Sequence, residues 1–243
     1  MKKGLLFVTA LVIASATFIS CKRNVTKGKG ESGTETRTVG SFSTIQIEAP
    51  IKAVIKVDSA AQPSFELSGY NNLLKLVKTE VRGNTLRIYV DDLVHIDSDR
   101  DVLATITTNS LANLEISGAA EAEIQGNVTA QNFDLEVSGA GDVTIDNITA
   151  NTFTANMSGA GDLDIKGGSV TKAVFDVTGA GEVTAFPLAA RQVVANVTGA
   201  GDIEVNASEK LDADIAGAGS IRYKGHPAIT QSIAGAGEIA EAN

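Results

Sequence analysis

The chain has 243 residues, 43% of them apolar, which is enough to bury a sizeable core in one large domain or two small ones and excludes disorder for most of its length. Twenty basic against 29 acidic residues leave a net charge of −9, and with no Trp and only 3 Tyr this argues against a basic reader of nucleic acid. Twenty-four glycines, few aromatics and many β-branched residues point to an all-β protein with frequent tight bends.

Residues 1–20 read as a signal peptide. Lys2 and Lys3 form a charged start, and Gly4 to Ser20 is uncharged, closing on Phe18-Ile19-Ser20. No second apolar run is long enough to span a membrane. Cys21 is the only cysteine, so an intrachain disulfide is excluded. A lone Cys directly after such a signal resembles the lipobox of a bacterial lipoprotein. The resemblance implies that Cys21 becomes the acylated first residue and anchors the chain, each buried methylene contributing about 0.8 kcal/mol. Residues 21–40 then form the lipidated Cys and a flexible tether, because Lys22 to Thr38 is polar, Gly-rich and without apolar periodicity. Without the signal, 18 basic face 29 acidic residues, and the basic cluster sits beside the lipid, where anionic head groups attract it.

A single domain is expected over residues 41–240. Its first part, 41–116, alternates irregularly: Phe42, Ile45 and Ile47 share one parity, and Phe65/Leu67 and Leu86/Ile88/Val90 repeat the pattern. Gly83-Asn84 marks a turn between two strands, and Asn71 to Leu76 a short helical turn. These are irregular β coils or a capping sheet, which a solenoid needs to keep its end from pairing with other edges.

Residues 117–240 are a serial repeat. SGAAEAEI (from Ser117), SGAGDVTI (Ser138), SGAGDLDI (Ser158), TGAGEVTA (Thr178), TGAGDIEV (Thr198), AGAGSIRY (Ala216) and AGAGEIAE (Ala234) follow at steps of 21, 20, 20, 20, 18 and 18 residues. About 18–21 residues per unit with β composition fits one coil of a right-handed parallel β-helix; a propeller blade needs about twice that. Seven coils at the strand spacing of about 4.8 Å make a rod some 34 Å long. Alternation puts Phe133, Leu135, Val137, Gly139, Gly141, Val143 and Ile145 on the inward face, so both glycines of each motif are expected to point inward, toward a close opposite wall. Ile116, Val137, Met157, Val177, Val197, Ile215 and Ile233 are expected to stack as one buried column.

The outward acidic column of Asp142, Asp162, Glu182 and Asp202, with Glu238 beyond it, is the candidate metal site. Carboxylates at strand spacing suit calcium, a hard cation. A solvated stripe is the competing reading. Two such charges repel by only about 0.9 kcal/mol in water, and a calcium β-roll needs tandem nonapeptides. Ser220 interrupts the column. Asp91-Asp92 with His95 is the tightest catalytic-type cluster, and a surface turn explains it equally. His226 in the Lys-Gly-His-Pro bend is a turn residue. No GxSxG, HExxH, P-loop or CxxC motif occurs, so neither catalysis nor a cofactor is expected. Phe133, Phe153 and Phe175 point inward by parity, which leaves few platforms for stacking sugars.

The Phe42/Ile45/Ile47 opening, the Phe65 to Gly69 strand, Asn71-Asn72-Leu73-Leu74, Thr85 to Ile88 and the recurrent SGAGD motifs resemble the family of auto-transporter adhesin head GIN domains, abundant in Bacteroidetes lipoproteins. The resemblance implies a β-helical envelope domain with an adhesive role. The expected protein is thus a non-enzymatic outer-membrane lipoprotein, facing either side of that membrane. It is an adhesin or structural module whose partners are the membrane through its lipid and a protein or glycan ligand. The alternatives are a polysaccharide-active β-helix enzyme and a calcium-stabilised periplasmic scaffold.

Overall fold

The computed structural model describes residues 24–242, an all-β solenoid of about six turns with one helical turn, Asn71–Leu74. The repeat motifs form one corner of the stack, with Gly118, Gly139, Gly159, Gly179, Gly199, Gly217 and Gly235 as consecutive register partners.

The chain does not build the stack in sequence order. The first regular coil is β3 (Thr44–Glu48) with β4 (Lys52–Val57). The chain then leaves it, and its next strands lie below: β7 (Thr85–Tyr89) pairs in parallel under β3, and β9 (Leu103–Thr108) under β4. It returns above, where β10 (Asn113–Gly118) and β11 (Glu121–Gly139) pair with the opposite edges of β3 and β4. The coil laid first is therefore enclosed on both sides. Thr108, the buried polar residue of this region, ties the excursion back: its hydroxyl lies 2.8 Å from the Ser110 carbonyl and 3.2 Å from that of Phe42.

The base is closed by antiparallel strands. β5 (Ser64–Tyr70) pairs with β9, β2 (Ser32–Arg37) with β5, and β6 (Lys78–Arg82) with β7. The β6–β7 hairpin turns at Gly83, whose φ of +60° suits glycine, and the helical turn at Asn71 also forms where expected. The tether expectation is corrected. Asn24–Lys27 is a strand, β1, paired with β8 (Val94–Asp97), and Ser32–Arg37 is β2. β2 has no apolar stripe because backbone pairing and Arg37 hold it. The guanidinium donates to the carbonyls of Val77 (2.8 Å) and Leu74 (3.1 Å) and to the Thr79 hydroxyl (2.7 Å).

Above β10 the coils stack in parallel, in register at the glycine corners, with register shifts between Ile124 and Asn127 and between Ala185 and Gln192. β11, β12 (Asp142–Gly159), β14 (Gly168–Gly179), β15 (Glu182–Gly199), β16 (Asp202–Gly217) and β18 (Ala228–Gly235) share one wall. Beside it, β13 (Asp162–Ile165), β17 (Ser220–Lys224) and β19 (Glu238–Glu241) complete the second. The column from Ile116 through Met157 to Ile215 is buried as expected, but Ile233 is 43% exposed, because no coil lies above it. Phe133 stacks on Phe153 (centroids 5.6 Å), and Phe175, one inward position further along its strand, meets Phe153 edge-on at 5.8 Å. Ala173 beside Phe153 and Ala155 beside Phe175 make the room, so large and small residues alternate between coils.

The glycine corners also need correction. The second glycine is buried from Gly141 to Gly219, but the first is exposed at Gly139 and Gly159 and half-buried at Gly179, Gly199 and Gly217. Gly159 has φ +130°, which turns its missing Cβ along the stack, where it would run into the carbonyl oxygen of Gly139 in the coil below. Gly161 is blocked in the same way by the Gly141 carbonyl. The obstacle is the neighbouring coil rather than the opposite wall. Each alanine between the glycines donates its amide to the first glycine's carbonyl below, as Ala160 does to Gly139 at 2.9 Å, so the close approach is also a hydrogen bond.

Candidate functional site

The acidic column forms as expected: Glu121, Asp142, Asp162, Glu182 and Asp202 are consecutive partners along the second wall, followed by Ser220 and Glu238. Its aspartates are engaged within the protein. Asp142 Oδ1 accepts the amide of Asp162 (3.1 Å), Asp162 Oδ1 that of Glu182 (3.2 Å), and Asp202 Oδ1 that of Ser220 (3.0 Å). The short aspartate side chain reaches the amide that follows the corner of the coil above, which at Ser220 is shared with the Gly201 carbonyl (3.1 Å). Ser220 continues this logic, since its hydroxyl donates to Asp202 Oδ1 at 2.5 Å. The three aspartates of the column are thus amide acceptors, and Glu121 pairs with Lys52. Among the described residues, no three His, Cys, Asp or Glu side chains group as a metal site.

Asp91 and Asp92 lie in the exposed turn after β7. Asp91 is an ion-pair partner of Lys78 (2.6 Å), whose pKa that contact raises, and its carbonyl accepts the Val94 amide. His95 stands on β8 opposite Val25, so the three form a turn and a strand edge rather than a convergent acid–base pair. His226 is solvent-exposed in its bend, 3.7 Å from Glu241. Cys21 lies outside the described residues.

A shallow groove of about 560 Å³ at the base is lined by Lys52, Val54, Gly69, Arg100, Asp101 and Leu103, among others. Its cations are already committed. Lys52 pairs with Glu121 at 2.5 Å, which raises its pKa, and Arg100 donates to Ser32 and lies over the Tyr70 ring at 5.4 Å. Asp101 is the carboxylate on its rim, and the His residues of the described chain lie elsewhere.

The extended surface is the walls themselves. On the first wall, outward positions of successive coils carry Glu115, Glu136, Asn156, Asp176, Asn196 and Asp214 in one register column. Side chains bond across coils at two places along it: Asn196 donates to Asp176 (2.5 Å), and Glu115 accepts from Gln46 in the coil below (2.6 Å). A polar ladder on either side of the short paired segment 128–130/148–150 escapes the sequence reading: Asn147 donates to Asn127 (2.6 Å) before it and Asn151 to Gln131 (3.4 Å) after it. Its signal was available, since polar residues recur there at the same 20-residue step as the glycines. The result is a flat, regularly spaced, largely acidic surface suited to broad polar contact.

The comparisons agree with this architecture. Residues 41–227 match the family described as "Putative auto-transporter adhesin, head GIN domain". A crystal structure described as a putative adhesin from Bacteroides fragilis is 28% identical, with TM-score 0.85, covering 89% of this chain and 100% of that one. A structure described as a putative lipid binding protein from Parabacteroides distasonis is 26% identical, with TM-score 0.75, covering 90% of this chain and 100% of its own. A putative adhesin from the same species, 24% identical with TM-score 0.73 over 90% of this chain and all of that one, shares the fold. No curated protein matches. Nor, among the described residues, is any helix long and apolar enough to cross a membrane. With three-quarters of its length under one family model and its glycine-cornered coils superposing on solved relatives, the chain belongs to the head GIN domain family so described.

Proposed function

We propose that the protein is a non-enzymatic adhesin of the bacterial envelope, anchored in the outer membrane by an acylated Cys21 and presenting its solenoid walls as the contact surface. The observation that carries this reading is the unbroken column from Glu115 to Asp214, which repeats one acidic or amide group per coil on a flat wall. Such a surface suits a protein or glycan partner offering many weak donors or cations in a row, because affinity then comes from repetition rather than from one pocket. Attraction between exposed charges is screened within about 8 Å at physiological salt, so binding should fall steeply with ionic strength.

The test is adherence of cells carrying the wild-type chain to immobilised matrix proteins and glycans. The comparison is a strain whose chain has Glu136→Lys and Asp214→Lys together. Loss of adherence in the double variant at unchanged protein level supports the reading. Equal adherence of the two strains, or of a strain lacking the protein, contradicts it.

A further inference from the structure

The two ends of the solenoid are finished differently. At the base the outermost strands carry charges on their open edges, Glu35 and Arg37 on β2 and Lys78, Glu80 and Arg82 on β6, the usual protection against edge-to-edge pairing. At the tip, β18 has no such protection. It pairs only with β16, so one row of its backbone N–H and C=O groups is unpaired, and the strand contains no charge, no proline and no bulge. Its inward residues are uncovered: Ile229 is 40% and Ile233 43% exposed, directly above the fully buried Leu211 and Ile215, and between them Gln231 lies on the same face, exposed above the buried Ala213.

The sequence of this strand names its partner. Ala228-Ile229-Thr230-Gln231-Ser232-Ile233-Ala234 reads almost the same in both directions. In an antiparallel pair related by a two-fold axis through Gln231, Ile229 faces Ile233, Ala228 faces Ala234, Thr230 faces Ser232 and Gln231 faces its own copy. Such an axis lies perpendicular to the sheet, so inward faces stay inward and the isoleucine columns run on across the junction. The hydroxyl pair and the two amides can hydrogen-bond across the strands, and no like charges meet along β18.

We propose that the tip is a homophilic contact: two copies join end to end through antiparallel β18 edges, with Gln231 on the two-fold axis. This is a closed, isologous interface, and the charged base edges keep it from extending into a filament. On the anchored reading given above, the two bases point in opposite directions, so the pair bridges two surfaces rather than lying on one. Pairing itself is read in solution, whatever the fate of Cys21.

The experiment uses residues 22–243, which retain every described residue. Sedimentation velocity of the wild type should show a dimer at about 100 μM, where a contact of that dissociation constant is well populated. Gln231→Lys and Gln231→Glu each place like charges against themselves on the axis and should be monomeric, while their equimolar mixture should dimerise again. That rescue also shows that both variants are folded. Gln231→Cys should give a disulfide-linked dimer on oxidation, since directly opposed strand residues lie about 4.5–5.5 Å apart at Cα. A monomeric wild type overturns the proposal. So does a dimer that persists in both single variants, or a mixture of the two that stays monomeric.

Discussion

The base and the coil stack bury their cores by different means. In the stack, each residue meets its counterpart one coil away, so Val137, Met157 and Val177 are neighbours because they sit at 20-residue intervals. In the base, partners are unrelated in type and strand direction reverses. Arg37 gathers carbonyls from Leu74 and Val77, and Arg87 holds Glu48 (2.6 Å) and Glu80 (3.4 Å). The stack can be lengthened by repeating itself, whereas the base is a one-off closure that relies on specific charged hydrogen bonds. Damage in the stack should therefore spread to neighbouring coils, and damage in the base should free an end.

The largest effect tests the stack. Phe153→Ala removes the ring that touches both Phe133 and Phe175, and should cost about 3–5 kcal/mol in chemical denaturation, with loss of cooperativity across the adjoining coils. Gly159→Ala follows, at roughly 2–4 kcal/mol, because the new methyl must displace the Gly139 backbone at a positive φ. A change of less than about 1 kcal/mol would mean that the corner is not packed against the coil below.

In the base, Arg37→Ala should cost about 1.5–3 kcal/mol, and its hydrogen-exchange signature should be local, raising exchange in β2 and β5 while the coils above stay protected. A uniform rise through the stack would erase the proposed distinction. Acid should single out the same region. Hydrogen bonds from Arg37 and Arg87 lower the pKa values of Glu35 and Glu48, so the stability they contribute is present above the ordinary glutamate range and is lost as pH falls through the lowered values. Exchange in β2 and β3 should thus rise at acid pH before that of β14 and β15. The smallest effect concerns the acidic column. Its aspartates are occupied as amide acceptors, so millimolar calcium or chelator should shift the melting temperature by less than about 1 °C, a clear rise with calcium being the contrary result.

The same contrast explains what was legible in the sequence. Period and alternation specify the coils, because a residue's environment there is set by the residue 20 positions away, and the buried column from Ile116 to Ile215 follows from spacing alone. The excursion after β4 was not legible. Nothing between Asp58 and Leu111 announces that the chain descends before it climbs, since that order is set by which edge of β3 each later strand finds. β2 was missed because polar edge strands carry no apolar stripe, and the first glycine of each corner was misplaced because a positive φ breaks the period-two rule. Asp91, Asp92 and His95 were adjacent in sequence, but the turn and strand edge that hold them give them separate directions.

The most direct test of the functional account is protease shaving of intact cells, with Cys21→Ala as the unanchored control. The account predicts that the wild-type domain is cleaved from whole cells and that the control is lost from the membrane fraction. Full protection of the wild type until the outer membrane is ruptured would place the domain in the periplasm and contradict an adhesin.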